Sequence, residues 1–223
     1  MSEPLKKYDL SVNFLGYWFI GTGSESGAYS DLLTLKDSRG FPYVPGKSLK
    51  GIFREAFRCA GNSGWFDKFI SNKNADREDF LNRLIQTVFG HDGSKEGFLA
   101  DELHAEGLIH FSNAELPEKV KKQIMNDGET DSLFTTVQST AIDKNTGTAS
   151  EKSLRTIETV IPVHLHAEVT VDAPYVFDPE HDLTEQQFRE LIGCFEAVAG
   201  LVTEIGGKRR RGFGRCLWNM KGV

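Results

Sequence analysis

Two hydrophobic periods alternate along the chain. From Asp9 to Ile20, Leu10, Val12 and Phe14 alternate with Ser11 and Asn13, which predicts a strand with one buried face. The loop Gly21–Gly27 comes next, and Leu33 and Leu35 then predict a short strand leading to Phe41-Pro-Tyr-Val-Pro-Gly-Lys-Ser48. Pro42 and Pro45 hold that approach extended, Gly46 is read as a sharp turn, and Ser48 as a helix N-cap. Leu49, Ile52, Phe53, Ala56 and Phe57 then recur at helical spacing.

Residues 59–74 read as irregular, with Trp65, Phe66 and Phe69 tucked onto the core. Phe80, Leu81, Leu84, Ile85 and Val88 predict a second helix, ended by Gly90. Residues 107–111 form a short strand, and Leu116–Asp131 read as a turn-rich surface segment. Val163, Leu165, Ala167, Val169 and Val171 alternate with His164, His166, Glu168 and Thr170, a strand with both histidines facing solvent. Thr184-Glu-Gln-Gln187 is a capping box opening a long helix. Its stripe is Phe188, Leu191, Ile192, Phe195, Val198, Val202 and Ile205, with Gly206-Gly207 as its end and Cys216–Met220 as the last strand. The order strand, helix, strand, strand, helix, strand is the α+β, ferredoxin-like βαββαβ unit, a core also used by RNA-recognition domains. The whole of 1–223 reads as one domain, with an acidic insertion at 92–131 and a projecting arm at 133–159.

Composition narrows the classes of function. No apolar run is long enough to span a bilayer, and the first residues lack a signal-peptide core, so a cytoplasmic protein with no membrane partner is expected. Cys59, Cys194 and Cys216 lie far apart, without C-x-x-C pairing, which argues for a reducing compartment and against a zinc ribbon. The net charge of −6 resides entirely in 92–131, with ten acidic residues against four lysines. The rest of the chain is balanced, and its basic residues cluster. Exposed charges beyond roughly 8 Å are screened at physiological salt, so the local clusters decide contact with phosphates.

Two basic stretches stand out. Lys47, Lys50, Arg54 and Arg58 edge the first helix, with Ser48 at its start. A helix N-terminus after a Gly turn, edged by basic side chains, is suited to phosphates. Lys208, Arg209, Arg210, Arg211 and Arg215 sit among glycines, which let a backbone approach a ligand while Arg forks grip phosphate. Pro45-Gly-Lys-Ser48 is not a nucleotide P-loop, because Phe41 stands where that motif needs Gly.

Val44-Pro-Gly-Lys-Ser-Leu-Lys-Gly51, Val88-Phe-Gly90, Leu108-Ile-His-Phe-Ser112 and Ile205-Gly-Gly-Lys-Arg-Arg-Arg-Gly-Phe-Gly-Arg215, in this order, resemble the RAMP superfamily of CRISPR-associated proteins. The short length and single core look most like the repeated backbone subunit of type III effector complexes. The resemblance implies binding of a CRISPR guide RNA, of complementary target RNA, of copies of the same chain and of other effector subunits. Residues 142–149 and 154–158 are similar to that subunit's thumb-like hairpin, which implies thumb roles for Ile142, Lys144, Asn145, Leu154 and Arg155. It also implies cleavage of target RNA at regular intervals, with Asp31 as catalytic residue and ligand of a divalent Mg or Mn ion, and with no organic cofactor. Asp37 matches a second acidic residue nearer the turn, whereas Leu33 replaces the usual Pro after Asp31.

Three alternatives stand beside this expectation. One is a scaffold that holds guide RNA without chemistry. Another is a stand-alone guide-processing ribonuclease, for which His91, His104 and His110 are the formal candidates. The last is an unrelated α+β enzyme whose basic loops bind a phosphorylated small molecule.

Overall fold

A computed structural model describes residues 4–22, 32–70, 76–90, 107–140, 146–148, 155–173 and 183–223. Strand β1 (Lys6–Phe14) is central. Tyr8, Leu10, Val12 and Phe14 are buried on one face, while Lys7, Asp9 and Asn13 are exposed on the other. It pairs antiparallel with β5 (His164–Val171) on one side and β6 (Cys216–Gly222) on the other. The short β2 (Ile109–Phe111) lies outside β5, so the sheet order is β2-β5-β1-β6. Counting only sheet strands in chain order this is 2-3-1-4, the ferredoxin-like arrangement, and the fold class matches the sequence-based expectation.

Helices cover the apolar face. Helix α1 (Gly46–Asn62) comes after the first loop region and α2 (Arg77–Phe89) packs against it. Phe53 of α1 sits in an aromatic cluster, with ring centroids 5.5 Å from Phe195, 5.7 Å from Phe111, 6.0 Å from Phe89 and 6.5 Å from Trp218. Phe57 stacks on Phe66 at 4.4 Å. These rings come from elements far apart in sequence, so their burial fixes the helices to the sheet. The opposite face of the sheet is polar and includes His164 and His166, whose rings lie 4.5 Å apart.

Several expectations need correction. The long helix breaks into α4 (Glu185–Gly193), opened by the Thr184–Gln187 capping box, and α5 (Phe195–Ala199). Val202 and Ile205 are buried as the stripe requires, but from an irregular loop that packs on Phe19, so Gly206-Gly207 does not end a helix. Trp65 is 40% exposed, unlike Phe66 and Phe69, because it lies in the turn leaving α1. Leu116–Asp131 is no run of turns: it carries helix α3 (Glu118–Asp127). Residues 32–36 form isolated bridges instead of a strand, and Thr34 is buried where Leu33 and Leu35 were expected to be.

Two strands stand apart from the main sheet. β3 (Phe134–Ser139) and β4 (Arg155–Val160) pair antiparallel from Phe134↔Val160 to Ser139↔Arg155. The root of this ribbon is buried: Trp18 exchanges backbone hydrogen bonds with Val160 at 3.1 and 2.7 Å and stacks on Phe14 at 4.2 Å. Its far end, at Arg155, is exposed. Of the predicted hairpin tip only 146–148 are described, with Gly147 at φ 68°. Ile142, Lys144, Asn145 and Leu154 lie outside the described residues.

Candidate functional site

Helix α1 starts two residues earlier than its expected cap. Pro45 is the N-cap residue and the Ser48 side chain caps nothing. Asn113, from the segment after β2, accepts the Gly46 N–H on its Oδ1 at 3.0 Å and does the capping instead. The amides of Ser48 and Leu49 both donate to the Pro45 carbonyl. The Lys47 amide has no backbone partner among the described residues and lies at the positive end of the helix dipole. Gly46 does not adopt positive φ, so it is not needed as a turn residue. It is needed for proximity, since a Cβ there would drive into the Phe111 carbonyl.

Lys47 is exposed, whereas Lys50 and Arg54 are half-buried along α1. The Arg54 Nε is shielded from solvent and has no partner among the described residues. Lys47 and Ser48 line a cleft of about 550 Å³, completed by Thr22, Tyr43, Gly46 and Asn113. Ser48 also lines a second groove of about 440 Å³, together with Glu55, Leu201, Glu204 and Arg209. The two basic stretches therefore meet around Ser48, although 160 positions separate it from Lys208.

The arginine loop has a defined backbone. Arg209–Arg211 form one 3₁₀ turn, flanked by Lys208 at φ 57° and Gly212 at φ 83°. A lysine in the left-handed region is uncommon and costs about 1 kcal/mol or more. The surrounding hydrogen bonds hold it there: Arg211 N–H donates to the Lys208 carbonyl at 2.8 Å, and Gly207 N–H to the Phe19 carbonyl at 3.1 Å. Gly214, at φ 76°, passes so close to Ile205 that a Cβ would overlap its carbonyl. Arg209, Arg210, Arg211 and Arg215 are exposed, and none forms an ion pair among the described residues.

Asp31 itself lies outside the described residues. The segment from Leu32 to Lys36 is held tightly. Leu32 bridges Ile157 of β4 in parallel fashion, and Glu158 N–H donates to the Leu32 carbonyl at 3.0 Å. The Thr34 hydroxyl donates to the Glu158 carbonyl at 2.8 Å, which satisfies it in its buried position. Glu158 Oε1 receives Lys36 Nζ at 2.8 Å. The segment after Asp31 is thus laid along the root of the ribbon.

Asp37 is not a spare carboxylate. Its Oδ1 accepts the amides of Arg39 and Phe41, both at 2.9 Å, and its Oδ2 faces Lys121 Nζ at 3.4 Å. Burial alone would raise its pKa; the Phe41 and Arg39 amides and the Lys121 ammonium outweigh that and hold it below the ordinary aspartate value. Lys121, on α3, is fully buried and also contacts Glu115 at 2.6 Å and Glu118 at 3.6 Å. Glu118 in turn takes the fork of Arg39 at 2.7 and 3.1 Å. The Arg39 fork, its largest influence, brings the exposed Glu118 carboxyl down to about 2. The sequence gives little sign of this network, because Lys121 reads as one more surface lysine in a charged segment.

Of the formal histidine candidates, His91 and His104 lie outside the described residues. His110 pairs with Asp172 at 3.3 Å on the sheet edge, remote in register from His164 and His166. Among the described residues no three His, Cys, Asp or Glu groups are placed to hold a metal ion. Nor is any described helix long and apolar enough to cross a membrane.

No curated protein is similar in sequence. Among solved structures, the chain resembles one from a type III-B Cmr-beta complex bound to cognate target RNA, with a TM-score of 0.65, 11% identity and 98% of each chain covered. It also resembles a chain of the apo state of such a complex, with a TM-score of 0.58, 13% identity, and 98% of this chain and 97% of the other covered. At those identities the likeness establishes the fold. The sequence profile of the RAMP superfamily matches residues 11–217, nearly the whole chain, and this protein is a member of that superfamily.

Proposed function

We propose that this protein is a backbone subunit of a type III CRISPR ribonucleoprotein, binding guide RNA and cleaving complementary target RNA. The observation that carries the reading is the bonding of Leu32, Thr34 and Lys36 to Ile157 and Glu158. It ties the segment directly after Asp31 to the root of a two-stranded ribbon. A ribbon that displaces a nucleotide presents the neighbouring phosphate near its base, and these bonds hold Leu32, the residue next to Asp31, against that ribbon.

The convergence of Lys47, Ser48 and the arginine loop supports guide binding. Open amides at a helix N-terminus and unpaired Arg forks suit phosphates and carry no base preference. Specificity then comes from guide–target pairing. Extruding a nucleotide turns its 2′-OH toward the line of the P–O5′ bond. The 2′-hydroxyl gives up its proton as its oxygen attacks phosphorus, the P–O5′ bond breaks, the 5′-oxygen takes a proton from water, and a 2′,3′-cyclic phosphate remains. Alignment alone can supply much of the acceleration. Asp31 is the proposed catalytic residue. The described residues do not form a ready set of ligands for Mg or Mn, so a metal requirement is a matter for direct test with EDTA.

A scaffold role is the second reading, favoured by one observation. Asp37, the other acidic residue of this segment, is occupied by Lys121 and two amides. The assembled complex decides between the readings. Complementary RNA is incubated with Mg²⁺ or Mn²⁺, with and without EDTA, for wild type and Asp31→Ala. Regularly spaced cuts that vanish in EDTA and in the variant, with target binding retained, support the catalytic role. Tight target binding without cuts in wild type leaves the scaffold.

A further inference from the structure

Tyr17 is an exposed aromatic residue that packs on no other ring among the described residues. It is 47% exposed, although its neighbour Trp18 is fully buried. Its ring has no aromatic or cationic partner, and its hydroxyl no hydrogen bond, among the described residues. Its backbone, in contrast, is fixed on both sides. The Tyr17 carbonyl accepts the Gly214 N–H at 2.8 Å, and Trp18 is bonded to Val160 at the ribbon root. Leu15, 54% exposed, donates its N–H to the Arg215 carbonyl at 2.8 Å. Residues 15–17 are thereby zipped to the loop that carries Arg211 and Arg215. Leu217 of β6, opposite Asn13 of β1, is 58% exposed.

We propose that Tyr17, backed by Leu15, is a stacking shelf for an unpaired RNA base beside the arginine loop. This rests on the RNA-binding reading above and extends it from phosphate to base contact. The chemistry favours a nucleotide over a protein side chain. An exposed ring on a rigid backbone, bonded to a loop whose arginines form no ion pair among the described residues, offers a π-face and phosphate forks close together, the combination that holds single strands without sequence preference. Its rigidity matters because a preordered ring loses little entropy on stacking. Tyr17 and the ribbon root share Trp18 as neighbour, so the shelf lies between the arginine loop and the ribbon root.

The test is binding of a short single-stranded RNA carrying 2-aminopurine to the full chain, titrated at several salt concentrations. Thermal melting first establishes that each variant is folded. Tyr17→Ala is expected to weaken binding about tenfold or more and to abolish quenching of the 2-aminopurine, with the salt slope unchanged. Tyr17→Phe keeps affinity and quenching. Alanines at Arg209, Arg210 and Arg211 lower the slope instead. If Tyr17→Ala binds and quenches like wild type while the arginine variant is weakened, the shelf is wrong and the phosphate reading stands. If wild type binds no RNA, both fail. If Tyr17→Ala binds RNA normally but loses self-association in sedimentation, the patch is a protein contact and the proposal is overturned.

Discussion

Glu158 and Thr34, 124 positions apart, are joined twice: the Thr34 amide donates to Glu158 Oε2 at 3.2 Å, and the Thr34 hydroxyl to the Glu158 carbonyl at 2.8 Å. One strand residue of the ribbon therefore sets the height and direction of the segment after Asp31. Glu158→Ala removes the side-chain half of this clamp and the ion pair to Lys36. Under the proposed function, single-turnover cleavage by the assembled complex is expected to fall about tenfold or more, since small misplacements of reacting groups are costly. Glu158→Gln, which keeps an acceptor, loses less. Guide binding stays unchanged in both. Equal cleavage rates in all three proteins would remove the clamp from the mechanism.

Lys121 is a buried ammonium whose charge is met by Asp37, Glu115 and Glu118. Removing one partner of such a group leaves uncompensated charge behind. Because the Asp37, Glu115 and Glu118 side chains keep 20, 38 and 58% exposure, the cost lies toward the low end of the range for buried pairs. Lys121→Met is expected to destabilise by about 2–3 kcal/mol. Urea unfolding of Lys121→Met, Asp37→Asn and the double variant tests this, the double losing less than the sum of the singles.

The Asp37 carboxyl also predicts a pH dependence. Its folded pKa is depressed below the unfolded value of about 3.9. Its contribution is thus complete above that value and lost as pH falls through the folded pKa. The stability gap between wild type and Asp37→Asn should be constant from neutral pH down to about 5 and narrow below about 4. Urea midpoints across that range give the answer, and a gap that widens in acid contradicts it.

Gly46 and Asn113 support the start of α1 in different ways. Gly46→Ala forces a Cβ onto the Phe111 carbonyl, and backbone cannot rotate away as a side chain can. A loss of about 2–3 kcal/mol is expected. Asn113→Ala leaves the Gly46 amide uncapped and costs about 1 kcal/mol. Thermal melts of both variants check the order, and Ser48→Ala, which removes no cap, should melt with wild type.

The arginine loop gives a prediction in salt. Each phosphate neutralised on a single strand contributes about 0.7 to the slope of log K against log salt. If Arg209, Arg210 and Arg211 each meet a phosphate, their joint replacement by Ala lowers the slope by about 2. Fluorescence anisotropy with a labelled RNA measures it. An unchanged slope would assign these side chains to solvent.

Much of this protein was legible in one dimension. Alternation in Leu10–Phe14 and Leu165–Val171 and the helical spacing of Leu49–Phe57 reflect local burial, so they determined the elements and the ferredoxin-like order. The capping box at Thr184 is equally local, and it formed as spaced. The clustering of Arg209–Arg211 and Arg215 was visible as charge. Tertiary structure decided the rest, because each remaining feature depends on a partner distant in sequence. Ser48 lost its capping role to Asn113, 67 positions from Gly46. Thr34 was buried instead of its leucine neighbours because Glu158 satisfies its hydroxyl. The helix after Thr184 ended at Gly193 and gave way to the short α5, and Val202 and Ile205 were buried from the loop whose Gly206 and Gly207 pack on Phe19. Lys121 reads as a surface charge until α3 folds over Asp37. Propensity and periodicity report how a residue relates to its nearest neighbours. Which buried polar group satisfies which other is settled only when the chain closes on itself.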